Sequence, residues 1–248
     1  MYGGTHNLLD YTLKRFGIET SFVDPRDLEG IANAIQPNTK VIFGEILGNP
    51  GLEVLNLPAI SEIAHNARLP LMVDATFVTP YLCKPIDFGA DIVVHSATKF
   101  LSGHGVVIGG LVVDGGTFNW ELSQKFPTLT EPYEGFHDLN FAEEFGPAAF
   151  ITRARREGLR DFGACMSPTT AFQILQGIET LPLRMQKHVE NTSAVVNFLQ
   201  EQDQVEWLNH PILPSHPDHA LAKTILPKGC GAVFSLSLIH ISEPTRPY

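Results

Sequence analysis

The chain has 248 residues, of which 44% are hydrophobic, enough for one large α/β domain and part of a second. Its formal net charge of -10 argues against nucleic-acid binding, and no apolar run is long enough to span a bilayer. Three scattered cysteines (Cys83, Cys165, Cys230) form no CxxC pair, so neither a disulfide framework nor a zinc knuckle is indicated, and with no signal peptide read at the start a cytoplasmic location is expected.

Taken in order, the residues alternate between helical and strand patterns. Leu8, Leu9, Leu13 and Phe16 recur at helical spacing and predict a helix over 5–16. A short strand is expected over 20–23, and Pro25 is read as the first-turn proline of a helix running to Ile35. An apolar strand over 41–46 ends near Gly48-Asn49-Pro50, and a helix over 58–67 places Ile60, Ile63 and Ala64 on its buried side. Residues 71–73 and 92–94 are near-continuous apolar runs, as strands covered on both faces of a parallel sheet require. A further strand is read over 106–113.

From 118 to 150 the pattern breaks into aromatic and acidic residues among Pro127, Pro132 and Gly135, an irregular excursion with a few helical turns. Helices over 169–179 and 183–200 follow, then strands over 205–208 and 232–236. The whole predicts an α/β fold, a mostly parallel sheet flanked by helices, followed by the beginning of a smaller α+β domain. The expected division is 1–180 for the large domain, 181–236 for the start of a truncated second one, and 237–248 for a non-native tail.

Ligands of such sheets sit beyond the carboxyl ends of the strands, and chemistry-bearing residues concentrate there. Asp74-Ala75-Thr76-Phe77 ends one apolar strand; His95-Ser96-Ala97-Thr98-Lys99 ends the next and runs into Phe100-Leu101-Ser102-Gly103-His104-Gly105. Pyridoxal phosphate chemistry needs this set: a lysine amine for a Schiff base with the cofactor aldehyde, a carboxylate to keep the pyridine nitrogen protonated, and hydroxyl donors for the phosphate. A nucleotide-binding P-loop also joins Gly, Ser or Thr, and Lys, but places its glycines before the lysine; here Lys99 precedes Gly103 and Gly105. Taken singly, a lysine after a strand is usually a solvated loop residue and a strand-end acid often a helix cap.

With Tyr2-Gly3-Gly4-Thr5, Gly48-Asn49-Pro50, the Asp74 strand, Ser96-Ala97-Thr98-Lys99, Ser167-Pro168 and Leu183-Arg184-Met185, the chain resembles the Cys/Met-metabolism pyridoxal phosphate enzymes of fold type I almost from end to end. The resemblance implies Lys99 as the cofactor-bearing and proton-shuttling lysine and Asp74 as the partner of the ring nitrogen. It implies Ser96 and Thr98 as phosphate contacts, Tyr2 as a ring-stacking residue that helps activate the substrate amine, Asn49 near the ring hydroxyl, and Thr76 against the other ring face. Bland alternatives stand beside these: strand-end capping for Ser96 and Thr98, a packed loop anchor for Tyr2, a turn dipeptide for Asn49-Pro50 and a structural strand threonine for Thr76.

Two stretches resemble the sulfhydrylase branch: Gly103-His104-Gly105-Val106-Val107-Ile108-Gly109-Gly110 and Glu131-Pro132-Tyr133-Glu134-Gly135-Phe136-His137. That branch implies replacement of the acetate of O-acetyl-L-homoserine by sulfide to give homocysteine for methionine synthesis, in a homotetramer built from dimers. Cystathionine γ-synthase, a γ-lyase and O-succinylhomoserine sulfhydrylase remain open, as does a folded remnant without catalysis. The family's subunit arm and substrate-carboxylate arginine have no counterpart here, so the chain alone is expected to be inactive. His210, His216 and His219 fall in a proline-rich loop and lack joint metal-ligand spacing, so no metal is expected; Arg153, Arg155, Arg156 and Arg160 read as a solvated helix face.

Overall fold

The computed structural model describes residues 1–239, and the tail read over 237–248 lies outside the described residues from position 240 onward. Strands β1 (Ile42–Glu45), β2 (Leu71–Asp74), β3 (Ile92–Ser96) and β4 (Gly110–Asp114) form one sheet in that order. The first three run parallel and β4 returns antiparallel along β3, so the molecule is α/β with a mostly parallel sheet. The apolar runs explain the parallel core: Leu71, Val73, Ile92 and Val93 are all buried.

Two of the longer helices begin at a side-chain cap. Asn56 Oδ1 accepts the Ala59 N–H to start Leu57–Asn66, which buries Leu57, Ile60 and Ala64. Ser167 Oγ accepts the Thr170 N–H at 3.1 Å, with Pro168 in the first turn of Pro168–Glu179. The helix Leu181–Gln200 follows after Thr180 and leads to a second, two-stranded antiparallel sheet, β5 (Val205–Asn209) with β6 (Ser235–Leu238).

Alternation along the strands sends side chains to two cores. Val73, Ala75, Val93 and Ala97 pack with Leu57, Ile60, Ile174 and Met185. Ile92 packs on the other side with Trp120, Leu129, Phe141 and Ala149, so the 118–150 excursion, short helical turns throughout, builds a core of its own. Trp120 and Phe150 stack at 5.5 Å within it.

Four local expectations are corrected. Residues 20–23 form no strand: Phe22 and Val23 are exposed and Phe22 stacks on His6 at 4.6 Å, with no ladder to join. Pro25 lies in a turn; the helix is Leu28–Asn33, because Asp27 Oδ1 accepts the Gly30 N–H at 2.8 Å and sets a later start. The strand read from 106 begins only at Gly110, with Val106 and Ile108 exposed, since the Gly109 N–H is taken by Thr98 Oγ1 at 3.0 Å. Arg153 is buried rather than solvated: its guanidinium lies over the Tyr133 and Phe141 rings, is bidentate on Glu157 and donates to the Thr128 carbonyl.

Candidate active site

The carboxyl ends of β1, β2 and β3 bring Glu45, Asp74 and Ser96 to one edge of the sheet, as parallel register demands. Asp74 closes β2. Its Oδ1 accepts the Thr76 N–H at 2.8 Å, and Thr76 Oγ1 in turn accepts the Ser96 N–H at 2.8 Å. This chain of two bonds ties the ends of β2 and β3 and keeps Asp74, Thr76 and Ser96 together. Beyond Ser96 the backbone curls into a tight turn: Lys99 N–H donates to the Ser96 carbonyl at 3.2 Å and Gly103 N–H to the Lys99 carbonyl at 2.9 Å. Ser102, fully buried, braces the turn through Oγ to the Thr98 carbonyl at 3.2 Å. Gly103 has φ +70, a left-handed conformation that favours glycine.

Tyr2 and Asn49 reach the same edge through Glu45, a residue the sequence pattern did not single out. Glu45 Oε1 accepts the Tyr2 N–H at 2.7 Å and Oε2 accepts the Asn49 N–H at 3.2 Å. Burial pushes the Glu45 carboxyl above the usual range and the neighbouring Asp74 charge adds to this, while the two N–H donors partly offset it. The other unforeseen groups are His95 and Arg184. His95 points from β3 into the core, burial lowers its pKa, and its Nδ1 has no partner among the described residues. Arg184 donates to the Phe100 carbonyl just past Lys99 at 2.8 Å. Local spacing carries no signal for either contact.

The chemistry of this donor set fits pyridoxal phosphate. Among the described residues no hydrogen bond engages Lys99 Nζ, Ser96 Oγ, the Asn49 amide or the Tyr2 hydroxyl, and Asp74 uses only Oδ1. An amine, a carboxylate oxygen, a hydroxyl and an amide thus stand free at one sheet edge, where a ligand bearing aldehyde, pyridine nitrogen, phosphate and phenol would engage them. Thr98 fits less simply, since its Oγ1 both accepts the Gly109 N–H at 3.0 Å and donates to the Gly109 carbonyl at 3.3 Å. Lys99 itself is exposed and makes no direct contact with Asp74 among the described bonds. His104 Nδ1 meets the Ser102 carbonyl at 2.5 Å and belongs to the turn.

His210 and His216 are buried, and each fixes its own loop: His210 Nδ1 accepts the Ile212 N–H at 3.3 Å and His216 Nδ1 the Asp218 N–H at 3.1 Å. Asp218 also receives the Arg26 guanidinium at 2.9 and 2.7 Å, joining the 24–27 turn to this distant loop.

The chain is similar to O-acetyl-L-homoserine sulfhydrylase of Leptospira meyeri, 46% identical over 96% of this chain and 56% of that protein. It is similar to homocysteine synthase of Schizosaccharomyces pombe, 47% identical over 95% of this chain and 55% of that protein. The chain therefore spans about half the length of the curated relatives it matches. A solved O-acetylhomoserine (thiol)-lyase of Campylobacter jejuni, described as putative and as holding pyridoxyl-lysine-5'-monophosphate, superposes with a TM-score of 0.92 at 34% identity, covering 96% of this chain and 58% of that one. A family model, Cys/Met metabolism PLP-dependent enzyme, matches residues 1–245. On the strand-end geometry and these matches together, the chain belongs to the Cys/Met metabolism PLP-dependent enzymes.

Proposed function

We propose that this chain is the cofactor-binding part of a pyridoxal 5'-phosphate enzyme that catalyses γ-replacement: O-acetyl-L-homoserine and sulfide give L-homocysteine and acetate, a step of methionine biosynthesis. The observation that carries the reading is the free set of Lys99, Ser96 and Asp74 at one strand edge, in a chain whose relatives bear the names of that reaction. Residues 1–180 form the large domain in this reading and 181–236 the start of the second.

When bound, the cofactor supplies a protonated pyridine ring that takes up the negative charge developing at the substrate α-carbon. Asp74 holds the proton on the ring nitrogen. Lys99 Nζ would carry the cofactor at rest and, once freed, would move protons at the substrate α- and β-carbons. Ser96 Oγ would donate to the phosphate, and Thr98 Oγ1 would join it by turning its hydrogen away from the Gly109 carbonyl while still accepting the Gly109 N–H. The Tyr2 ring would stack on the cofactor and its hydroxyl would help activate the substrate amine. Asn49 would donate its amide to the ring phenolate oxygen, and Thr76 would pack on the opposite ring face. Glu45 holds the Tyr2 and Asn49 segments by their backbones.

The enzyme works in this reading as a homotetramer built from dimers, supported by large apolar side chains left exposed, among them Phe16, Phe162 and Leu183. A cytoplasmic location is supported by the three cysteines, all free thiols. No helix among the described residues is long and apolar enough to cross a membrane.

The test is a comparison of substrates on the whole purified enzyme loaded with cofactor. Homocysteine from O-acetyl-L-homoserine and sulfide, well above the yield with cysteine or with O-succinyl-L-homoserine, is the expected outcome. Cystathionine from cysteine as the main product would make it a cystathionine γ-synthase, and release of an oxo-acid without sulfide a γ-lyase.

A further inference from the structure

The turn after Lys99 is held from outside by one side chain. Arg184 stands in the first turn of Leu181–Gln200, 84 residues from Phe100. Its Nη1 donates to the Phe100 carbonyl at 2.8 Å; Nη2 donates to the Gly177 carbonyl at 2.6 Å and reaches the Leu101 carbonyl at 3.4 Å. Its Nε donates to Thr180 Oγ1 at 3.0 Å. The Phe100 and Leu101 carbonyls lie in this tight turn and accept no backbone N–H among the described residues, so the guanidinium satisfies them.

Two glycines leave the room this requires. A Cβ on Gly103 would run into the Arg184 guanidinium, and one on Gly177 would strike the Ser102 carbonyl. The Lys99 turn, the end of Pro168–Glu179 and the start of Leu181–Gln200 are thereby packed as one unit around a planar cation. A lysine at this position would present a point charge and could not serve carbonyls and a hydroxyl in one fork. Lys99 Nζ has no partner of its own among the described residues, so its placement follows from where its backbone is held.

We propose that Arg184 is a positioning residue for Lys99: it fixes the turn that presents the amine to the cofactor aldehyde, and it ties that turn to the helix leading to the second sheet. The proposal rests on the assignment of Lys99 made above.

The test uses the whole enzyme stripped of cofactor, as wild type, R184K and R184Q. Amide hydrogen exchange is followed at 99–103 and in β2 and β3, and attachment of pyridoxal phosphate to Lys99 is trapped with borohydride over time. Exchange at 99–103 is expected to quicken roughly tenfold while β2 and β3 hold their protection. Attachment should slow by roughly tenfold or more, R184K less than R184Q, because a misplaced reacting group costs rate steeply. In the loaded enzyme kcat should fall with KM nearly unchanged. Exchange and attachment equal to wild type would overturn the proposal. So would exchange that rises equally in β2 and β3, or failure of both variants to fold, since either assigns Arg184 to the fold as a whole. Wild-type protein that traps no cofactor on Lys99 strikes the functional reading instead.

Discussion

Glu45 stands directly beside Asp74 across the parallel β1–β2 ladder, and each carboxylate accepts backbone N–H groups at the sheet's carboxyl edge. The two differ in what they leave over. Asp74 has an oxygen to spare, whereas Glu45 spends one oxygen on Tyr2 and the other on Asn49. One carboxylate keeps an oxygen unbonded among the described residues, and the other is spent on two backbone segments.

Glu45→Gln keeps one acceptor and turns an amide N–H toward the other donor. The loss of a charged acceptor costs about 1–3 kcal/mol, so cofactor affinity of the whole enzyme should fall by roughly five- to a hundredfold. Equilibrium titration of the stripped enzyme, read by cofactor absorbance, measures it. An unchanged dissociation constant would free Tyr2 and Asn49 from dependence on Glu45.

Lys99→Ala should abolish covalent attachment, since among the described residues no other lysine follows a strand end beside Ser96 and Asp74. Borohydride reduction followed by peptide mass analysis gives the readout. A reduced adduct on any other lysine would mean that the site is elsewhere.

Asp74→Asn should retain cofactor yet slow α-proton removal by roughly a hundredfold or more, because a neutral amide cannot hold the pyridine proton against a charge-developing transition state. Exchange of the substrate α-proton for deuterium, followed by NMR, isolates that step from sulfide addition. Near-normal exchange would remove Asp74 from the role.

How much of this was legible depended on the range of the forces involved. Strands β2 and β3 were readable because burial imposes an apolar run, half-buried β1 because its first residues are apolar, and Leu57–Asn66, Pro168–Glu179 and Leu181–Gln200 because spacing and caps are local signals. Residues 20–23 carried the same strand signal, yet no ladder exists there to reward it, which composition cannot reveal. Arg153 looked solvated because its aromatic partners, Tyr133 and Phe141, precede it by whole turns of an irregular segment. Asp74, Ser96 and Lys99 stood out as residue types at strand ends. Glu45 and Arg184 act on backbone groups 43 and 84 residues away, and such contacts leave no periodic trace.

The last prediction concerns acid stability. Burial lowers the pKa of His210 from 6.5 to about 4, the nearby His216 adding to the effect and the backbone of Cys230 opposing it. A histidine held neutral in the fold but free to charge in the unfolded chain favours unfolding as pH falls. Its contribution is complete above pH 6.5 and declines through that range until it is lost below about pH 4. The size is roughly 3 kcal/mol at most. His210→Asn offers the Ile212 N–H an acceptor in place of Nδ1 and has no proton to gain. Urea midpoints of the whole enzyme across pH 7 to 4 should therefore fall less steeply in the variant than in wild type. A residual slope is expected from His216, whose pKa burial also lowers. Parallel slopes in the two proteins would show that His210 is already charged in the fold, or that its loop opens to water before the core unfolds.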